Sequence, residues 1–431
     1  MSITAIVWAL LFCIAALGAW LNPMFGLFGY LLEYFQRPSL YWWGKDLPDL
    51  RWNFTIGAIT AAAYFLQRNS LPSVQRTTNV ALILMLLQAI NTSIVTIWAV
   101  APDLSWKWSV QYWKLVVTYF LFASIVRTPR MLALTILFQI VGAAYWGWDA
   151  LDQRRYGSRL EGLGSGDTKN ANQLAGHLLT IIPLATLFVF LKQPRWMRVA
   201  AAISLPLILN LLVLANSRGA TLGAAAAVLA ALPLARRGMR KRVLVGTVIG
   251  VAGLYLVADP QYLARQQTIL SSEDNSAQSR LSFWAGALPM IRDHPFGAGG
   301  RGFHVLSPIY IPELKDQGDG EGRSSHNTYI QVAADWGIQG LVLFLALIGY
   351  TFVILHRVRK ERIEADWIYF VSFGLQLGLI ATLTAAFFSV RFFGESIYWL
   401  CGLTTALYQM TGAASAADKK PAEGGQPAVA A

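Results

Sequence analysis

Charge is scarce in this sequence. Only 13% of its 431 residues are Asp, Glu, Lys or Arg, against 55% hydrophobic, and the mean hydropathy is +0.46. A soluble domain of this length cannot hide so much apolar surface, which excludes the water-soluble classes. Cysteine is nearly missing as well. Cys13 and Cys401 both fall inside apolar runs, so neither a disulfide framework nor a thiolate metal site is available, and both read as small apolar side chains. The first apolar run lacks a basic start. It therefore reads as a retained helix and not a cleaved secretory signal, although small residues follow its core from Ala15 to Ala19. No internal repeat is visible.

What is abundant is the apolar run of span length. Such stretches cover 4–21, 53–67, 79–101, 109–126, 131–148, 172–191, 199–215, 220–235, 243–258, 331–355, 367–388 and 397–411. Each is roughly 15 to 23 residues, close to the thickness of a bilayer core. The expectation is an all-α polytopic membrane protein of about 12 transmembrane helices. Residues 1–411 form one transmembrane domain, with a large outer loop, 259–327, between helices 9 and 10. The tail 412–431, rich in Ala, Gly and Pro, reads as disordered.

Orientation follows from the connections. Arg68, Arg76, Arg127, Arg130, the run Arg236 to Arg242, the run Arg357 to Arg362, and Lys419 and Lys420 share one side with Lys192, Arg195 and Arg198. That side carries 18 basic and five acidic residues out of 35 and 23 in all, so by the positive-inside rule it is cytoplasmic, as are both termini. The net charge of +12 is thus absorbed by insertion and by anionic lipid heads, and no nucleic-acid partner is implied. The aromatic segment 22–52, with Phe35, Tyr41, Trp42, Trp43 and Trp52, falls outside and has two readings. It is an interfacial anchor or a surface that guides a lipid substrate.

The outer loop of 69 residues is long enough to carry function. Ser279 to Arg292 has near-helical apolar spacing, predicting a short helix on the membrane face with Arg280 at its start. Gly297, Gly299, Gly300 and Gly302 then make a turn-rich passage, read as plain loop or as a backbone cradle for phosphate. The loop closes on Arg323-Ser324-Ser325-His326-Asn327-Thr328-Tyr329. No pair among the five histidines has zinc-ligand spacing, so neither metal nor other cofactor is expected. Arg218 occupies the tight turn Asn216-Ser217-Arg218-Gly219 on the side where insertion disfavours arginine. It either meets an anion or snorkels to the interface. Two guanidiniums and one imidazole on a single face make an anionic leaving-group site with a proton acceptor.

Three segments carry a family resemblance. SRGATL at 217–222, RLSFWAGALPMIRDHPFGAGGRGF at 280–303 and SHNTYIQVAADWGIQGL at 325–341 resemble the O-antigen ligase and O-antigen polymerase superfamily of bacterial inner-membrane glycosyltransferases. The likeness covers roughly 205–350 and rests on three modest motifs in the right order around a long loop. It implies a metal-independent enzyme of the inner membrane with its active site on the periplasmic face. The implied donor is a glycan on undecaprenyl pyrophosphate, and the implied acceptor a glycolipid such as lipid A core or another hydroxyl. Carried over by position, Arg218 and Arg280 would hold the pyrophosphate and His326 would take the acceptor's proton. Arg323, Lys169, Arg159, Asn327 and Tyr329 are secondary candidates for substrate contact. Outer acids such as Asp167, Glu313, Asp316 and Asp319 bind sugar hydroxyls or solvate the loop.

Direct attack would invert the anomeric centre, and a pre-activated donor dispenses with the paired carboxylates of hydrolytic glycosidases. The favoured reading is an O-antigen ligase; a polysaccharide polymerase or a protein O-oligosaccharyltransferase of the same superfamily is the alternative. A lipid-linked sugar transporter is more remote, since the spans are almost free of charge and show no repeat symmetry.

Overall fold

A computed structural model describes residues 2–74, 78–151, 159–267, 275–311, 323–361 and 366–418. The described residues are helical throughout, with no strand. In chain order the helices are α1 (Ile3–Ala19), α2 (Pro23–Phe35), α3 (Trp52–Gln67), α4 (Val80–Val95), α5 (Pro102–Ile125), α6 (Pro129–Asp149), α7 (Ala171–Phe190) and α8 (Arg195–Ala215). They continue as α9 (Arg218–Leu234), α10 (Arg240–Val257), α11 (Pro260–Gln267), α12 (Asn275–Asp293), α13 (Gly302–Tyr310), α14 (Thr328–Glu361), α15 (Asp366–Ala385) and α16 (Glu395–Asp418).

Every one of the twelve apolar stretches lies on one of these helices. Six described helices meet the length and apolarity needed to cross a membrane: α4 with its short extension to Trp98, α6, α7, α8, α14 and α15. Apolar α1 and α9 are shorter, at 17 residues each. Helix α16 runs on to Asp418, and the rest of the tail read as disordered lies outside the described residues.

The centre of the fold is α15, which packs on α7 and α9. Glycines make that approach close. A Cβ on Gly223 of α9 would stand 2.3 Å from the Ala381 carbonyl oxygen, and one on Gly378 of α15 would stand 2.7 Å from that of Thr180. Small residues let apolar helices meet backbone to backbone where burial alone gives little driving force. The same packing brings the start of α9, the start of α7 and the end of α15 to one face of the molecule.

Two expectations change in detail. The aromatic segment 22–52 is not one interfacial belt, since Tyr30, Tyr34, Phe35 and Trp43 are buried and only Trp42 is strongly exposed, at 71%. Helix α2 is a short core helix; its Phe35 carbonyl accepts the Trp146 indole N–H at 2.7 Å. Helix α14, read as one span from 331, is broken at Gly337 (φ 78, ψ 172). The loop 295–297 docks into the break: Ile338 N–H donates to the Pro295 carbonyl, and the Gln339 amide donates to those of Phe296 and Trp336. Backbone groups released by the break are therefore satisfied, as a low-dielectric surrounding demands.

Candidate active site

The turn that holds Arg218 is built from its neighbours. Asn216 ends α8 in the left-handed region (φ 46), where a short amide side chain is tolerated better than most. Ser217 then caps α9, its hydroxyl accepting the Ala220 N–H at 3.3 Å. Arg218 is thus the first helical residue, where the helix dipole favours an anion. A Cβ at Gly219 would lie 2.8 Å from the Phe388 side chain. The glycine lets the segment after α15 close over this helix start.

Arg280 comes to the same place from α12, which begins at Asn275, four residues before the expected start. Its guanidinium carbon stands 5.9 Å from the centre of the Phe388 ring. Phe283 and Trp284 follow at the i+3 and i+4 positions, so all three share one helix face. The Phe283 ring lies 6.3 Å from that of His326 with 24° between planes, and the Trp284 indole donates to the Ser325 carbonyl at 3.1 Å. One face of α12 therefore carries a guanidinium and grips the histidine turn.

His326 itself sits in the left-handed region, φ 52. For a residue with a Cβ that costs about 1–2 kcal/mol, and surrounding bonds hold it there. Ser325 N–H donates to Gln331 Oε1 at 3.0 Å, and the Ser325 hydroxyl accepts the Asn327 N–H at 3.2 Å. Asn327 Oδ1 accepts the N–H groups of Tyr329 and Ile330 at 2.9 and 3.2 Å, capping α14. Burial, then the positive charges of Arg280, Arg323 and Arg159, lower the His326 imidazole from 6.5 to about 4. The ring is therefore neutral at physiological pH and carries a lone pair.

Arg159 completes the cluster. Its Nε donates to the Ala215 carbonyl at 3.1 Å and its Nη2 donates to Asn172 Oδ1. The same amide oxygen accepts the Ser217 hydroxyl at 2.8 Å, so one asparagine at the start of α7 ties Arg159 to the Arg218 turn. Burial pushes the Arg159 guanidinium below its ordinary value; Glu161 opposes this, while Arg265, Arg280 and Arg218 add to it. Those mutual fields place Arg159, Arg218, Arg265 and Arg280 in one group, with His326 at its edge.

The remaining candidates are less central. Arg323 is exposed and acts on His326 through its charge. Lys169 is exposed, and its carbonyl accepts the Gly162 N–H at 2.7 Å. Tyr329 donates its hydroxyl to the Leu383 carbonyl at 2.8 Å and packs its ring 4.5 Å from Phe387, which makes it a strut. Asp167 accepts the Tyr34 hydroxyl at 2.7 Å and the Glu395 N–H at 3.0 Å, an internal role. Glu313, Asp316 and Asp319 lie outside the described residues.

The glycine passage is no phosphate cradle. Gly297, Gly299, Gly300 and Gly302 donate their N–H groups to His294, Asp335, Ser105 and Gly299, and added Cβ atoms there would strike backbone or side chains of packed helices. Sequence reasoning missed Arg265, Asn172 and Phe388. Arg265 had a usable signal, a basic residue just beyond the ninth apolar stretch on the outer side; the other two owe their places to tertiary packing.

A comparison with curated proteins finds no match. Residues 203–345, about a third of the chain, match the family model described as O-Antigen ligase. That stretch runs from the middle of α8 into α14 and holds Arg218, Arg265, Arg280, Arg323 and His326. Over that stretch the chain is similar to the O-antigen ligase family.

Proposed function

We propose that this chain is an inner-membrane glycosyltransferase that moves a glycan from undecaprenyl pyrophosphate to a hydroxyl on the periplasmic face, as an O-antigen ligase acting on a glycolipid such as lipid A core. The observation that carries it is the grouping of Arg218 and Arg280 around Arg159 near the start of α9, with Arg280 and Arg159 also acting on the neutral His326 before α14. In this reading twelve helices cross the bilayer, with the basic connections in the cytoplasm and the cluster on the opposite face.

The chemistry follows from the groups. A departing pyrophosphate concentrates negative charge beside a low-dielectric surface. Guanidiniums donate to its oxygens bidentately and keep their own charge, and the α9 terminus adds its dipole. His326 takes the proton of the attacking hydroxyl as that oxygen closes on the anomeric carbon, with inversion expected. A pKa near 4 makes the free imidazole a weak base. Pyrophosphate beside Arg280 offsets the positive field that depresses it, so the base strengthens when donor is bound.

The test is transfer by purified protein from an undecaprenyl-pyrophosphate glycan to lipid A core, with a chelator present. Activity should persist with chelator and fall at least a hundredfold in His326→Ala. Transfer at the parent rate in that variant would remove the proposed base. A polymerase or a protein-glycosylating enzyme of the same superfamily would use the same donor end, and substitution of the acceptor in this assay separates them.

A further inference from the structure

In the proposed function donor and acceptor are both lipid-anchored, and the cation cluster is assigned to the donor alone. A second opening exists on the other side of the connection between α15 and α16. Phe388 in that connection touches Arg280 and Gly219, while Val390, Phe393 and Gly394 line a separate cavity of about 1300 Å³. This is larger than a usual small-molecule pocket of roughly 300–1,000 Å³.

The cavity is a cleft between α3 and α5. The helices meet where Phe120 packs on Tyr64 and Phe65, at 5.4 and 5.9 Å between ring centres. Toward their other ends the space widens. From α3 it is lined by Phe54, Gly57, Ala58 and Ala61, an i, i+3, i+4, i+7 stripe of mostly small residues. A Cβ on Gly57 would meet nothing within 4 Å. Helix α5 faces that stripe with Lys107, Gln111 and Lys114, again one helix face. Trp52, Trp108 and Arg301 stand at the wide end.

Lys114 decides the chemistry. It lies twelve residues into α5, about 18 Å along the axis, and about 20 Å from the basic end at Arg127. A bilayer core of about 30 Å therefore puts it below the outer interface. Both Lys107 and Lys114 are exposed into the cleft, and neither amine hydrogen-bonds or ion-pairs with another described residue. An ammonium at that depth calls for a water-filled cavity or an anion brought to it. Four carboxylates also line the cavity, and each has a partner: Glu33 pairs with Arg37, Glu395 accepts the Tyr30 hydroxyl, Asp167 accepts that of Tyr34, and Asp49 accepts the Arg51 N–H. A small-residue stripe on one wall, two lysines on the other and indole rings at the wide end match an amphiphile with acyl tails, anionic groups and sugar faces.

We propose that the α3–α5 cleft is the entrance and binding site of the acceptor, a phosphorylated glycolipid whose phosphates meet Lys107 and Lys114 and whose tails lie against Gly57, Ala58 and Ala61. This rests on reading the cation cluster as the donor site.

The full chain in phosphatidylglycerol nanodiscs, offered lipid A or undecaprenyl pyrophosphate and read by native mass spectrometry, tests it. Lipid A should be retained against the phosphatidylglycerol excess. Lys107→Gln with Lys114→Gln should cut that retention at least tenfold and leave undecaprenyl pyrophosphate retention unchanged. Gly57→Leu, which fills the cleft without altering charge, should cut it similarly. Lipid A retention at the parent level in either variant, or equal displacement by phosphatidylglycerol, overturns the assignment. Loss of undecaprenyl pyrophosphate from Arg218→Gln with Arg280→Gln reports the donor reading separately, so the two proposals fail independently.

Discussion

Removing the charge of Arg280 should strengthen His326 as a base. The imidazole falls from 6.5 to about 4 through burial first, then Arg280, Arg323 and Arg159. Two unit charges in contact at about 4 Å interact by about 4 kcal/mol in an effective dielectric near 20, and the effect falls with distance. Burial outweighs Arg280 and three guanidiniums share what remains, so Arg280→Gln should return part of the shift and move the midpoint up from about 4. The sign is fixed: a positive neighbour disfavours the imidazolium, so its removal raises the pKa, while burial keeps the value below 6.5. Arg280→Lys retains the charge and should leave the midpoint near 4. Ring-labelled histidine NMR on the purified protein reads this directly, because the chain has five histidines and His326→Gln identifies the signal. A midpoint that stays put or falls in Arg280→Gln would refute the electrostatic account. The same field predicts the kinetics. Below its pKa His326 is protonated and cannot accept a proton, so activity falls toward acid. The acid limb of kcat/KM, which reports free enzyme, should lie lower in pH than that of kcat, where bound pyrophosphate offsets Arg280.

Three further outcomes test other parts of the site. Arg218→Lys keeps charge but loses the planar fork, so transfer should drop at least tenfold with an unchanged melting temperature; full activity would argue against bidentate gripping. Trp284→Phe deletes the indole donor to the Ser325 carbonyl and should lower kcat several-fold with little change in donor KM, since the His326 turn loosens while the arginines remain; a pure KM effect would contradict that positioning role. Gly297→Ala places a Cβ 2.6 Å from the Gly337 backbone nitrogen at φ +95 and should cost about 2 kcal/mol or more, read as a lowered melting temperature. An unchanged melting temperature would show that the 295–297 loop does not brace the break in α14.

How much of this was legible in the sequence depends on what kind of signal each residue carries. Arg218 stood out because a basic residue in a tight turn on the side read as outer is not explained by membrane insertion, whereas Arg280 and His326 took their proposed roles from the family resemblance. Helix α12 was readable because Arg280, Phe283 and Trp284 repeat at helical spacing. Composition could not place α2, since aromatic density is the same for an interfacial belt and for a buried core helix; only Trp146, Tyr34 and Phe35 meeting in space decides between them. The break in α14 was hidden for a similar reason, because glycine is common in apolar helices and Gly337 becomes a break only when 295–297 arrives to satisfy the released backbone. Asn172 and Phe388 carried no local signal at all. Each matters because α7, α9 and α15 pack through glycines closely enough for one amide to hold both Arg159 and Ser217, and for one ring to lie against both Arg280 and Gly219. Among the charged groups proposed for this site, Arg218 is the one the sequence marks as a departure from the insertion rule. The neutral residues that bring them together have no such rule to violate, and they emerge only from the close packing of the helices beneath.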